Sequence, residues 1–284
     1  MPENEIQFPC ADNYTLSGTA FVGADSNGRA VVITSALGVP RKFYTPLAGY
    51  LAGLGFDVLT FDYRGIGGSR KGPVRGSKMR MEDWGRLDID AALGWAMREL
   101  KPSKLFLIGH SAGAQLAGLA ANSEKLDGLI FASVSSAHPG HWPMPARLPL
   151  LGMMHVLVPL LSFGRDFHPR VGALSSMPVP AGVTAQWARW ARTPGYLFDA
   201  AHAIDRSGYA RLRKPVLAFH FDDDDYGPLP AHEAILAAYA NCTITRRRIK
   251  SAEYGGKIGH FGYFRERLRD TLWKQTADWL LTTG

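Results

Sequence analysis

The pentapeptide Gly109-His110-Ser111-Ala112-Gly113 is the part of the sequence whose residue types and spacing most clearly suit chemistry. It follows the apolar run 104–108 and precedes a segment rich in alanine and leucine, so strand, tight turn and helix should succeed one another here. A G-x-S-x-G sequence in this setting is typical of a nucleophile elbow, where small residues let strand and helix pass closely. Because the pattern alone is common, the rest of the chain must support it.

A serine nucleophile needs a base within hydrogen-bond reach and an acid that orients this base. In a parallel sheet such groups come from loops at the carboxyl ends of strands. Two later loops qualify: four aspartates, residues 222–225, follow a predicted strand at 215–221, and a predicted strand at 243–249 leads to His260. The order serine, aspartate, histidine is the one that accompanies a nucleophile elbow.

The residues beside Ser111 have predicted roles of their own. The backbone N–H of Ala112 is the expected first donor of an oxyanion hole, because it follows the nucleophile directly. Adjacent side chains on a sharp turn diverge, so we interpret His110 as a packing or substrate-pocket residue and not as the base.

Strands and helices alternate along most of the chain, which predicts an α/β fold with a mostly parallel, doubly wound sheet covered on both faces. The glycines of segment 61–69 lack the spacing of a dinucleotide fingerprint, so no nucleotide cofactor is expected. Strands are predicted at 5–8, 14–22, 30–35, 56–61, 104–108, 128–134, 215–221 and 243–249, and helices at 43–54, 82–100, 112–121, near 230–240 and at 261–281.

The alternation stops between residues 137 and 213, where prolines, aromatic residues and short helical stretches take over. We interpret residues 137–213 as an inserted, mainly helical lid on a core made of residues 1–136 and 214–284. The apolar stretch 148–163 should form a wall of an acyl or aryl pocket. Trp187 and Trp190, which lie nearby in sequence, are the predicted substrate contacts of the lid.

Composition bounds the class of protein. The 284 residues are 46% hydrophobic and 20% charged, as in ordinary globular proteins, and no apolar run is long enough to span a membrane. The acidic start lacks a signal-peptide pattern, and two cysteines suit a reducing compartment, so a cytoplasmic location is predicted. The four aspartates lack the alternation and central glycine of a calcium loop, so no metal site is expected.

Positive charge is concentrated in one part of the chain. The net charge is +7, and residues 137–214 alone hold nine Lys/Arg against three Asp/Glu. A local basic surface suits an anionic substrate or an anionic membrane face better than nucleic acid, which needs a longer basic footprint. The lid arginines leave a carboxylate- or phosphate-bearing substrate open: Arg147, Arg165, Arg170, Arg189 and Arg192.

Taken together, these segments resemble the α/β-hydrolase superfamily over essentially the whole chain. The resemblance is carried by FDYRGIGGS (61–69), GHSAG (109–113), PVLAFHFDDDDYGP (215–228) and GHFGYFR (259–265). With TSALGVPRKFY (34–44), the chain looks most like a bacterial group of predicted α/β-hydrolases with undefined substrates. The resemblance implies that Asp224 is the triad acid, with Asp223 and Asp225 as alternatives, and that the Leu37 N–H is the second oxyanion donor.

The function implied is that of a serine hydrolase without a cofactor, acting on a small carboxylic ester, thioester or amide. Ser111 would attack the carbonyl, His260 would take and return the proton, and Asp224 would hold the imidazole. A serine aminopeptidase or an acyltransferase on the same triad, or a non-catalytic binding protein on this fold, are the alternatives. The lid is poor in acids that could hold an α-amine, and no triad member is missing.

Overall fold

The frame of the molecule is one large sheet. The computed structural model describes residues 3–23, 25–72, 78–163, 165, 167–168 and 176–283. The strands are β1 (Glu3–Pro9), β2 (Thr15–Phe21), β3 (Arg29–Thr34), β4 (Asp57–Phe61), β5 (Lys104–His110), β6 (Gly128–Ala132), β7 (Phe167–His168), β8 (Val179–Pro180), β9 (Pro215–Phe221) and β10 (Thr243–Ile249). Eight of them form a sheet in the order β1-β2-β4-β3-β5-β6-β9-β10, and β7 pairs with β8 separately.

Strand direction follows the sequence-based prediction. β2 is antiparallel to β1 and to β4, and the remaining pairs of the eight-stranded sheet are parallel. β3, β4, β5 and β6 are almost entirely buried, as expected for β-branched and apolar runs covered on both faces. β5 lies between β3 and β6, so the turn that follows β5 is at the middle of the sheet.

Helices cover both faces of the sheet. They are α1 (Thr45–Ala52), α2 (Met81–Asp83), α3 (Asp90–Trp95), α4 (Ala112–Leu116), α5 (Arg147–Gly152), α6 (Val158–Ser162), α7 (Ala181–Ala191), α8 (Ser207–Arg211), α9 (Leu229–Leu236) and α10 (Lys274–Thr282). Residues of α1 and α10 pack in the hydrophobic core on one face, and residues of α3, α4 and α9 pack in the core on the other. None of the helices formed by the described residues is long and apolar enough to cross a membrane.

Residues between β6 and β9 form a mainly helical insertion. Helical turns at Met153–Leu157 join α5 to α6 without a break, so residues 147–162 form one helical rod. The backbone and side chain of Ser176 both donate to the carbonyl oxygen of Gly38, at 3.2 and 3.0 Å. This contact attaches the insertion to the loop that follows β3. The short β7–β8 pair was not predicted from the sequence.

The end of the chain departs from the prediction of one helix over 261–281. Residues Gly262–Phe264 and Glu266–Leu268 form separate 3₁₀ turns, and helical structure begins only at Arg269. The indole N–H of Trp273 donates to the carbonyl oxygen of Tyr263 at 2.6 Å, which ties the turns to the helix. The apolar spacing of this segment therefore reflects packing of irregular turns as well as of a helix.

A buried ion pair fixes the two loops that follow β3 and β4. Asp62 accepts hydrogen bonds from the backbone N–H of Arg41 at 2.7 Å, from the Arg41 guanidinium, and from the backbone N–H of Gly68 at 2.9 Å. Both charged side chains are buried, so each depends on the other. The FDYRGIGGS segment thus has a structural role, since it holds the β3 loop in place.

Candidate active site

The turn around Ser111 has the geometry of a nucleophile elbow. Ser111 has φ 48° and ψ −110°, a positive φ that residues with side chains rarely adopt. A Cβ at Gly109 would lie 2.6 Å from the Cα of Ala114, and one at Gly113 would lie 2.5 Å from the carbonyl oxygen of Thr34. Both positions therefore require glycine, because β5, α4 and β3 approach so closely.

His260 and Asp224 form a buried hydrogen-bonded pair. Nδ1 of His260 lies 3.0 and 2.9 Å from the two carboxylate oxygens of Asp224. The backbone N–H of Tyr226 donates to the same carboxylate at 3.0 Å, which fixes its plane. An ionised carboxylate only accepts, so Nδ1 of His260 carries its proton and Nε2 keeps a free lone pair. A histidine held in this tautomer can act as a general base.

Asp223 has a different task, because it fixes the loop that carries His260. Its carboxylate accepts from the backbone N–H groups of Ile258 and Gly259 at 2.8 and 2.9 Å, and from the Ser251 hydroxyl. Burial raises the pKa of Asp223, but these hydrogen bonds outweigh burial and bring the pKa below its ordinary value. The backbone just before His260 is therefore held by the aspartate that precedes Asp224.

The other two aspartates face away from His260. Asp222 is exposed and accepts from the backbone N–H of Ser251 at 2.9 Å. Asp225 has an 84% exposed side chain, 3.6 Å from the ammonium group of Lys257. Of the four consecutive aspartates, Asp224 alone is hydrogen-bonded to the imidazole of His260 in the described part of the chain.

Two backbone N–H groups lie where an oxyanion hole is expected. Ala112 and Leu37 both line the cavity that holds Ser111, and within the described residues neither N–H has an acceptor. The preceding residue, Ala36, donates its N–H to the Tyr44 hydroxyl at 2.9 Å. That bond fixes the peptide next to Leu37, and a fixed pair of N–H groups can stabilise a developing negative charge.

Ser111 and His260 open into a cavity whose lining is mainly apolar. Within the described part of the chain, no Asp, Glu, Lys or Arg lines it. An apolar wall suits the hydrocarbon part of a substrate, with polar groups confined to the reacting end. The remaining lining residues are Ala36, Leu37, Ala112, Gln115, Ser135, Ala137, Trp142, Leu150, Met153, Met154, Trp187, Tyr226 and Phe261.

Comparison with known proteins identifies the family. Residues 25–252 match the profile of the family described as "Serine aminopeptidase, S33", a span that covers most of the chain. The chain belongs to this family. It therefore belongs to the α/β-hydrolase superfamily, as the sequence motifs predicted.

Two curated relatives match part of the chain. Two uncharacterized proteins from two strains of Mycobacterium tuberculosis are 30% identical over 182 residues, which is 61% of this chain and 57% of each relative. The matched region thus spans less than two thirds of the relatives' length.

Three solved structures share the fold of this S33-family protein. The esterase Pf2001 of Pyrococcus furiosus has a TM-score of 0.66 at 15% identity, over 99% of this chain and 91% of that one. Est1E of Butyrivibrio proteoclasticus has a TM-score of 0.58 at 16% identity, over 98% and 97%. The serine hydrolase XC6422 of Xanthomonas campestris, described as without lid, has a TM-score of 0.55 at 16% identity, over 100% and 99%. They confirm the predicted α/β-hydrolase fold.

His110 does not reach the cavity, contrary to one of its two predicted roles. Its side chain is fully buried, and Nδ1 lies 2.9 Å from the Tyr44 hydroxyl oxygen. Nε2 lies 2.9 Å from the carbonyl oxygen of His260. Burial, followed by the nearby His260, lowers the pKa of His110 well below its usual range, so its ring is neutral. His110 is a buried packing residue of the S33-family core and not a substrate contact.

The two tryptophans predicted as substrate contacts lie in different surroundings. Trp187 lines the cavity and is half-buried. Trp190, three residues later on α7, is 1% exposed and stacks edge-on with Tyr196 at 6.0 Å between ring centres. Trp190 therefore belongs to the core beneath the insertion, because α7 turns it away from Ser111. The sequence-based prediction assigned both residues the same role because both are large aromatic residues near the apolar stretch 148–163.

None of the described arginines of the insertion lines the cavity. Arg147 donates to the carbonyl oxygens of Trp142 and Gly140, and Arg192 donates to that of Met154. Arg170 lies outside the described residues. The described cavity wall therefore offers no cation to an anionic substrate, and this part of the sequence-based prediction finds no support at Ser111.

Several cavity residues escaped the sequence analysis. The stretch predicted as a pocket wall does supply Leu150, Met153 and Met154. Nothing in the sequence marked Gln115 and Trp142 as pocket residues, because a polar residue on a helix and a tryptophan near a turn are both common. Gln115 is buried, donates to the carbonyl oxygen of Ser135 at 2.6 Å, and accepts from the Tyr196 hydroxyl at 2.9 Å.

Proposed function

We propose that this protein hydrolyses small carboxylic esters or thioesters through an acyl-enzyme formed on Ser111. The observation that carries the proposal is the bond from His260 Nδ1 to both carboxylate oxygens of Asp224, at 3.0 and 2.9 Å, beside a strained serine in the same cavity. A base oriented by a buried acid, next to a serine on an elbow, is the arrangement that serine hydrolysis requires.

In the proposed mechanism, Nε2 of His260 accepts the Ser111 hydroxyl proton while the serine oxygen attacks the substrate carbonyl. Asp224 stabilises the imidazolium that forms. The N–H groups of Leu37 and Ala112 donate to the oxyanion of the tetrahedral intermediate. His260 then protonates the leaving alcohol or thiol. A water molecule that gives a proton to His260 attacks the acyl carbon, and His260 returns this proton to the Ser111 oxygen as the carboxylic acid leaves.

The cavity wall supports an uncharged acyl group as the substrate's recognition element. An aminopeptidase binds the α-ammonium group of its substrate, which needs a nearby carboxylate. The described lining of this cavity has no Asp or Glu, and the buried carboxylate of Asp224 is committed to His260. We therefore rank esters above aminoacyl amides, with residues 137–213 as the lid over the acyl group.

Covalent labelling with a fluorophosphonate probe tests the proposal. The wild type should label, and Ser111→Ala should not. A panel of p-nitrophenyl esters of graded chain length, assayed beside aminoacyl amides, then separates the substrate classes. Equal labelling of both proteins would refute the role of Ser111, and faster turnover of aminoacyl amides than of esters would favour the aminopeptidase alternative.

A further inference from the structure

The helical rod of residues 147–162 carries apolar side chains on its solvent side as well as on its cavity side. Six of the nine large apolar side chains that are exposed in the described structure lie between residues 144 and 163. They are Met144, Leu148, Val156, Leu157, Leu160 and Phe163, and Phe163 is 86% exposed. Clustering of this kind on a monomer marks an interaction surface, since single exposed apolar residues are otherwise scattered.

Three of these residues have the spacing of one helix face. Val156, Leu160 and Phe163 recur at intervals of four and three residues along the rod, and each is exposed. Met153 and Met154 of the same rod line the cavity wall. The rod therefore separates the active-site cavity from the solvent with a single layer of apolar residues.

The charge around this face is one-sided. Residues 128–165 contain no Asp or Glu, the next acid in the sequence being Asp166, and Arg165, three residues after the rod, is exposed. Arg192 is also exposed and lies at the rod, because its guanidinium donates to the carbonyl oxygen of Met154 at 3.4 Å. None of the ion pairs among the described residues involves either arginine. An apolar face with a basic margin complements an anionic lipid surface.

We propose that the exposed face of residues 144–163, the rod face, binds the surface of an anionic phospholipid bilayer. The apolar side chains would enter the region between headgroups and acyl chains, and the arginines would lie among the phosphates. A second copy of this chain fits less well, because a symmetric pairing of this face would bring basic margins together without acids between them. This binding does not depend on the proposed hydrolysis.

Flotation of the full chain with lipid vesicles tests the proposal. Wild type and Ser111→Ala should both float with vesicles of phosphatidylcholine and phosphatidylglycerol, and less with phosphatidylcholine alone or at about 0.5 M NaCl. The double variant Leu160→Asp/Phe163→Asp should lose about tenfold in vesicle partitioning. The matched control, Leu54→Asp/Leu281→Asp, places the same charges at leucines that are 45% and 43% exposed and should bind within about twofold of the wild type.

Failure of the wild type to float, or equal flotation of the two double variants, would overturn the proposal. Sedimentation velocity provides the other decisive outcome. A wild-type dimer that Leu160→Asp/Phe163→Asp converts to a monomer, without vesicle binding, would assign the rod face to a second copy. Because Ser111→Ala is included, a loss of catalysis and a loss of lipid binding are recognised separately.

Discussion

The Nε2 atom of His110 lies 2.9 Å from the backbone carbonyl oxygen of His260, so the residue before Ser111 supports the residue proposed as its base. The carbonyl can only accept, hence Nε2 carries the proton and Nδ1 accepts from the Tyr44 hydroxyl at 2.9 Å. The Tyr44 oxygen in turn accepts the N–H of Ala36 at 2.9 Å. One directional chain of hydrogen bonds therefore links the Leu37 loop to the His260 loop.

This series of hydrogen bonds predicts that His110→Leu lowers kcat for p-nitrophenyl acetate by about tenfold to a hundredfold while KM changes little. The reason is that small displacements of catalytic groups slow the reaction without weakening substrate binding. His110→Gln, which retains a donor and an acceptor, should recover most of the activity. Steady-state kinetics of both variants measures the difference.

The control for this prediction is His232→Leu. His232 is also buried and bonded to a backbone carbonyl, that of Val134 at 2.9 Å, but it has no bond to the Ser111 or His260 loops. Its replacement should lower the Tm and leave kcat close to that of the wild type. If His110→Gln is as impaired as His110→Leu, or if KM rises instead, the proposed positioning role of His110 is wrong.

Among the four aspartates, only Asp224→Asn should reduce kcat severely, by about 10⁴-fold, because an amide no longer holds His260 in the required tautomer. Asp225→Asn should remain within about twofold of the wild type, since its side chain is 84% exposed. Rates of p-nitrophenyl ester hydrolysis, with circular dichroism to verify folding, decide between them. A larger loss at Asp225 would reassign the acid.

Asp223 should instead control stability in acid. Its hydrogen bonds lower its pKa in the folded state, so its carboxylate stabilises the fold above the unfolded pKa of about 4, and this contribution disappears as the pH falls through the lower folded pKa. The difference in Tm between wild type and Asp223→Asn should therefore be largest near neutral pH and shrink toward about pH 3. Thermal melts across this range measure it.

Asp225→Asn is the matched control for the acid series, and its Tm should follow that of the wild type throughout. A difference in Tm between wild type and Asp223→Asn that stays constant with pH would contradict this prediction. It would mean that the charge of the Asp223 carboxylate does not stabilise the loop before His260.

Local patterns predicted much of this architecture, whereas the site depended on contacts distant in sequence. The elbow is readable because glycine on each side of Ser111 is a local steric requirement that the sequence displays. Which aspartate meets His260 is not readable from the residues, because adjacent carboxylates at 223 and 224 differ only in the direction that the turn after β9 gives them. The resemblance to known hydrolases supplied Asp224.

Trp187 and Trp190 show the same limit on one helix. Both are large, apolar and three residues apart, so periodicity assigns them to one face. The packed position of α7 decides that one lines the cavity while the other is buried against Tyr196. Partners provided by the insertion and the core, which are far apart in sequence, make this distinction.

These two tryptophans support a final paired prediction. Trp187→Ala should lengthen the acyl pocket and raise the ratio of kcat/KM for p-nitrophenyl octanoate over acetate by about tenfold, which is the effect of burying roughly two more methylene groups. Trp190→Ala should leave this ratio within about twofold but lower the Tm by about 10 °C, because it opens a cavity in the core. Ester kinetics and thermal melts of both variants separate the roles, with Trp190→Phe as the substitute if the alanine variant does not fold. An equal shift of the ester ratio in both variants would show that the wall at Trp187 does not set acyl length.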